Sequence, residues 1–155
     1  KRRCDMKAKY FSLMVAFAMV ALGAATVGAH CEIPCGIYDD QLRADLIAEH
    51  STTIEKSMKK IVELSKQNPV NYNQLVRWIS NKEKHADEIQ HLVTQYFMTQ
   101  RIKPDAKKYS EKLAVLHKML IYAMKCKQST DVAHVSTLRS LTKEFEVLYF
   151  GHSDK

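Results

Sequence analysis

Leu75-Val76-Arg77-Trp78-Ile79-Ser80-Asn81-Lys82-Glu83-Lys84-His85-Ala86-Asp87-Glu88-Ile89-Gln90-His91-Leu92-Val93-Thr94-Gln95-Tyr96-Phe97 decides the fold. A stripe of apolar side chains falls at 75, 76, 79, 86, 89, 92, 93, 96 and 97, mostly in steps of three, four and their sum, as on a helix with one apolar face. No sustained alternation of apolar and polar residues, the mark of a half-buried strand, occurs here or elsewhere. The helical pattern extends from about Tyr72 to Gln100, and Pro104 closes the region. Upstream, from about Asp39 to Gln67, Leu42, Leu46, Ile54, Met58, Ile61 and Val62 make a second stripe, broken at Pro69. Downstream, Tyr109, Leu113, Leu116, Leu120, Ile121 and Met124 make a third, within about Ala106 to Lys127. Ser129-Thr130-Asp131 supplies turn and N-cap chemistry. A fourth stripe, with Val132, Val135, Leu138, Leu141, Phe145 and Leu148, runs to about Phe150. Four amphipathic stretches with short connections predict an all-α protein, an antiparallel four-helix bundle over residues 39–155. The Met and aromatic residues on these stripes are expected in its core.

Composition agrees. With 155 residues the chain can bury one sizeable core, and scarce Gly and Pro beside abundant Lys, Glu, Leu and Met favour helix. The net charge is +7, but Lys1, Arg2, Arg3, Lys7 and Lys9, less Asp5, supply +4 of it. From His30 onward 19 basic residues face 16 acidic ones, so the charge does not mark a nucleic-acid surface. Lys56, Lys59 and Lys60 read as a solvated helix face.

Residues 1–29 have the order of a secretory signal: basic Lys7 and Lys9 behind Met6, an apolar run from about Phe11 to Leu22, then small residues to Val27-Gly28-Ala29. The apolar run is shorter than the roughly 20 residues of a membrane-spanning helix. The expectation is cleavage after Ala29 and export to a periplasmic, extracellular or organelle-lumen space, with no stable membrane association afterwards. An uncleaved anchor or the second part of an organelle-targeting sequence are the other readings. Met6 is the expected initiator, ahead of which Lys1–Asp5 would not belong to the translated chain, and Cys4 leaves with the leader.

Immediately after Ala29 stands His30-Cys31-Glu32-Ile33-Pro34-Cys35-Gly36-Ile37-Tyr38. Cleavage would give His30 a free α-amine, placing that amine, the Cys31 amide, two thiols and an imidazole within six residues. Two nitrogens and two thiolates in a plane suit Ni(II) or Cu(II). The His30 amine, Cys31 amide nitrogen and Cys31 sulfur would form two fused five-membered chelate rings, with Cys35 closing the plane and the imidazole as an axial ligand. Pro34 and Gly36 shape the tight loop. Anionic sulfur and amide donors lower a Ni(III)/Ni(II) potential, and the imidazole favours the oxidised state, as a one-electron shuttle requires. Left uncut, or oxidised in an exported protein, the same residues read as a Cys loop with a Cys31–Cys35 disulfide. Cys126, among apolar helical neighbours, reads as a buried thiol.

This string resembles the hook of nickel superoxide dismutases, H-C-x-x-P-C-G-x-Y, kept in full as His30, Cys31, Pro34, Cys35, Gly36 and Tyr38. The likeness extends to Asp39, to Asn71-Tyr72-Asn73-Gln74-Leu75-Val76-Arg77-Trp78 and to Tyr96-Phe97, and with the four helices it covers the chain from His30 on. The resemblance implies an antioxidant oxidoreductase that converts two superoxide and two protons to O2 and H2O2. It implies one nickel ion per subunit, held by His30, Cys31 and Cys35, and a maturation protease as partner. By the same resemblance Tyr38 would cover the open face of the metal, ordering superoxide and water, with Tyr96 a second tyrosine lining the approach. A homo-hexamer is implied as well. The family commonly orients the axial imidazole through a helical carboxylate backed by an arginine. Asp45 and Glu49 are the carboxylates available, but the position matching the arginine carries His85, so those roles do not transfer.

Other chemistry finds less support. Glu88-Ile89-Gln90-His91 has the E-x-x-H spacing of di-iron bundles, which need two such pairs and two further carboxylates; one pair is present. His50, His117, His134 and His152 have no partner at metal-ligand spacing, and no phosphate loop or nucleophile elbow is visible. A non-enzymatic nickel- or copper-binding secreted bundle is the alternative reading of the hook, and a secreted structural bundle a third.

Overall fold

The computed structural model describes residue 14 and residues 39–151. The chain divides into two units, Lys1–Cys31 and Glu32–Lys155, and the elements below belong to the second. They are α1 (Asp40–Ser65), α2 (Tyr72–His91), a π-helical segment (Leu92–Arg101) continuous with α2, α3 (Tyr109–Gln128) and α4 (Val132–Phe150). Each helix packs on its neighbour in sequence and α4 packs back on α1, so the four close into a bundle. No strand occurs among the described residues.

Each start has a local cause. The Asp39 carboxylate accepts from the Leu42 amide at 2.9 Å, the Asn71 side chain from the Gln74 amide at 3.1 Å, and the Asp131 carboxylate from the Ala133 amide at 2.9 Å. All three satisfy amides that a helix N-terminus otherwise leaves unpaired. Ser129 Oγ accepts from the Asp131 amide at 2.8 Å, completing the turn expected there. α3 begins at Tyr109, three residues later than its stripe suggested, because turns at Lys103–Ala106 and Ala106–Tyr109 follow Pro104. Gly151 ends α4 at φ 74°, its amide donating to the Val147 carbonyl, a left-handed cap that glycine adopts without strain.

The core holds Ile47, Ile54, Met58, Ile89, Val93, Phe97, Leu116, Met119, Leu138 and Phe145, all buried. Phe97 packs edge-on against Tyr96, Phe145 and Tyr149, with centroids 5.1, 4.8 and 5.5 Å apart. On α1 the buried line is Ile47, Ser51, Ile54, Met58, Ile61 and Leu64. Ser51 joins it because its hydroxyl donates to the Ile47 carbonyl at 2.8 Å and needs no other partner.

Several stripe residues expected in the core are exposed instead: Leu42, Val62, Val76, Ile79, Met124 and Val132. For α2 the reason is where its neighbour stops. Lys82, only 3% exposed, donates from Nζ to the Cys126 carbonyl at 2.8 Å, to the Lys127 carbonyl and to Glu83 at 2.7 Å. All three ammonium protons are used, and two of them satisfy the last carbonyls of α3. α3 therefore ends beside Lys82, and the turns of α2 before it, roughly 15 Å of helix, have no α3 to pack on. Tyr72, Val76 and Ile79, at 70%, 59% and 40% exposure, lie on that overhang.

Candidate metal centre

His30, Cys31, Cys35 and Tyr38 lie outside the described residues. The donor chemistry of that string nevertheless suits nickel: two soft thiolates, an imidazole and, once His30 is the terminus, an amine. Among the described residues no group of three His, Cys, Asp or Glu side chains could hold a metal ion. Cys126 is buried and its thiol is pushed up to about 11 by burial, which the charge of Lys82 only partly offsets, so it is a core residue rather than a thiolate ligand.

Two positions after the string in sequence, the structure shows a polar cluster on Asp40, the first residue of α1. Tyr96 donates its hydroxyl to Asp40 Oδ1. Tyr149 donates to Oδ2 at 2.8 Å, and Arg101 donates to the same oxygen from Nη2 at 2.8 Å and Nε at 3.1 Å. Arg43, one turn along α1, lays its guanidinium over the Tyr96 ring, 5.5 Å from the centroid. Burial alone would raise the Asp40 pKa, but the bonds from Arg101, Tyr96 and Tyr149 outweigh it and hold the carboxyl below its usual range. The same arrangement keeps both phenols protonated: burial and the bond to Asp40 raise Tyr96, and they push Tyr149 up to about 12.

The π-helical segment makes this cluster possible. Its side chains and backbone bond five residues back, as with Thr99 Oγ1 to the Thr94 carbonyl at 2.7 Å, Gln100 Nε2 to the Gln95 carbonyl at 3.0 Å and the Ile102 amide to the Phe97 carbonyl at 2.9 Å. In an ordinary α-helix residues five apart point about 140° away from each other, whereas an i→i+5 ladder returns them to one face. Tyr96 and Arg101, five apart, thus converge on one carboxylate.

Of the residues singled out by sequence, Tyr96 is 1% exposed with its ring in the core and its hydroxyl on Asp40. Asp45 accepts from Gln41 at 2.9 Å on the exposed side of α1, and Glu49 is exposed. His85 faces His50 across the α1–α2 contact, with Nδ1 atoms 2.8 Å apart. His50, which sequence spacing left without a partner, therefore has one. Burial, then the charge of His85, lowers the His50 pKa, with Glu88 and Glu49 pulling the other way. Asp40, Arg101 and Tyr149 were not anticipated. The doublet Asp39-Asp40 beside the hook was the available signal, since one carboxylate suffices for the cap and the other is left for a different task.

A family model described as nickel-containing superoxide dismutase matches residues 25–153. No curated protein and no solved structure gives a significant match.

Proposed function

This chain belongs to the nickel-containing superoxide dismutase family, and from that premise we propose how its metal site is built. The protein is a nickel-dependent superoxide dismutase, an oxidoreductase with nickel as its cofactor and superoxide as its substrate. The single observation that carries the site proposal is that the matched span includes the whole donor string His30–Tyr38.

In this reading the leader ends at Ala29 and a protease exposes the His30 amine in an exported compartment. The amine and imidazole of His30, the amide and sulfur of Cys31 and the sulfur of Cys35 hold one nickel ion. Bound nickel supplies a one-electron couple between Ni(II) and Ni(III), with which one superoxide is oxidised to O2 and a second, taking two protons, is reduced to H2O2. Tyr38 presents a hydroxyl that can donate a hydrogen bond to the superoxide anion and limits what reaches the site. Tyr96, fixed on Asp40, lines the approach with a phenol that stays protonated. His85 stands at the position matched to the arginine that relatives are expected to carry behind the axial imidazole, and here it pairs with His50. A homo-hexamer would cover the exposed Tyr72, Val76 and Ile79 of the α2 overhang.

Cysteine substitution tests the site. Cys31→Ser and Cys35→Ser are each expected to abolish nickel-dependent dismutation while leaving helical circular dichroism intact, since both residues precede the four described helices in sequence. Retained nickel-dependent activity in either variant contradicts the ligand assignment.

A further inference from the structure

The Asp40 cluster joins three distant parts of the chain: the start of α1, the π-helical segment and the last turn of α4. Four hydrogen bonds end on one carboxylate, and charged groups make such bonds short and strong. Below it lies the aromatic core of Phe97, Phe145 and Tyr149. Beside it Arg43 covers the Tyr96 ring, with its Nε buried and unbonded. The bundle does not need this arrangement to close, because Asp39 already caps α1 and the helices meet along their apolar stripes. Its position relative to the hook is what distinguishes it. Asp40 comes two positions after Tyr38 and five after Cys35, so chain length alone limits their Cα atoms to separations of about 7 and about 18 Å.

We propose that Asp40 is a positioning residue for the metal-binding string: its carboxylate, gripped by Tyr96, Arg101 and Tyr149, fixes the point where residues 30–38 leave the helical body and holds the Tyr96 hydroxyl at that point. The inference rests on nickel being held by that string. Asp40 touches neither metal nor substrate; it acts through the backbone it anchors and through Tyr96. Groups bonded directly to metal ligands are worth about 10–100-fold in metal affinity or activity, and an anchor acting through the backbone is expected at the lower end of that range.

The test compares the mature nickel-loaded protein with Asp40→Asn, which preserves shape but removes the charge that orders its donors, and with Tyr149→Phe, which deletes one bond from the far end of the chain. The expected result for Asp40→Asn is unchanged helical circular dichroism, about tenfold faster loss of nickel to a chelator, and a broadened Ni(III) electron paramagnetic resonance signal. Tyr149→Phe should move the last two readouts in the same direction, by less. Chelator release and a resonance line shape equal to wild type in folded Asp40→Asn overturn the inference. Where Asp40→Asn does not fold, Tyr149→Phe decides alone by the same criteria. A wild-type protein that takes up no nickel at His30–Cys35 would defeat the site proposal itself, which is a distinct result from a nickel-loaded wild type that matches its variants.

Discussion

At the scale of single residues, two pairings show what spacing alone conceals. His50 and His85 are 35 positions apart on different helices, so no helical period links them, yet their Nδ1 atoms are 2.8 Å apart. One imidazole must donate and the other accept, and charging both replaces a hydrogen bond with repulsion. His50 is held below its ordinary 6.5 by burial and by His85. The unfolded chain therefore binds more protons than the folded one as pH falls below about 6.5, and stability drops through that range. We expect the melting temperature of the nickel-loaded protein to fall between pH 7.5 and 5, and His50→Gln to flatten that dependence. Thiolate protonation also loosens nickel in acid, but it affects both proteins alike, so the difference between their slopes isolates the pair. Equal slopes would refute the assignment. Asp40 teaches the same lesson: its partner Tyr149 is 109 residues away, and a doublet of aspartates gives no hint which one caps the helix.

At the scale of elements, caps and breaks were legible because their chemistry is local. Pro69, Pro104 and the Ser129–Asp131 turn each sit where a helix stops or starts. The change from α to π winding at Leu92 was not legible, since its apolar residues fit the 3.6 period and nothing local marks the wider ladder. That change is what brings Arg101 to Tyr96, so the missed element and the missed residue have one cause. The overhang of α2 was equally hidden: Val76 and Ile79 satisfy the stripe, and their exposure follows from where another helix ends. Lys82 marks that end. Lys82→Met should leave the Cys126 and Lys127 carbonyls unpaired and lower unfolding stability by about 1–3 kcal/mol, with dismutase activity retained. Chemical denaturation measures it, and a midpoint equal to wild type would show that those carbonyls find other donors.

At the scale of the whole molecule, the division of labour is plain. Four helices bury a conventional apolar core, and the described residues contain no metal-binding cluster of their own. In the proposed reading the chemistry belongs to a string that precedes the bundle in sequence, and the first helix of the bundle begins at Asp40. The fold was legible from periodicity because core packing repeats along every helix. The family was legible because the hook motif is contiguous in sequence, whereas the Asp40 cluster was not, because it is assembled from three elements. The central claim is that the His30 amine, created by cleavage after Ala29, is a nickel ligand. It is tested most directly by producing two proteins that differ by one residue, one beginning at His30 and one at Ala29, and measuring nickel-dependent superoxide dismutation of each. The account predicts activity in the chain that begins at His30 and its loss when Ala29 converts the amine to a peptide bond. Equal activity in both would contradict it.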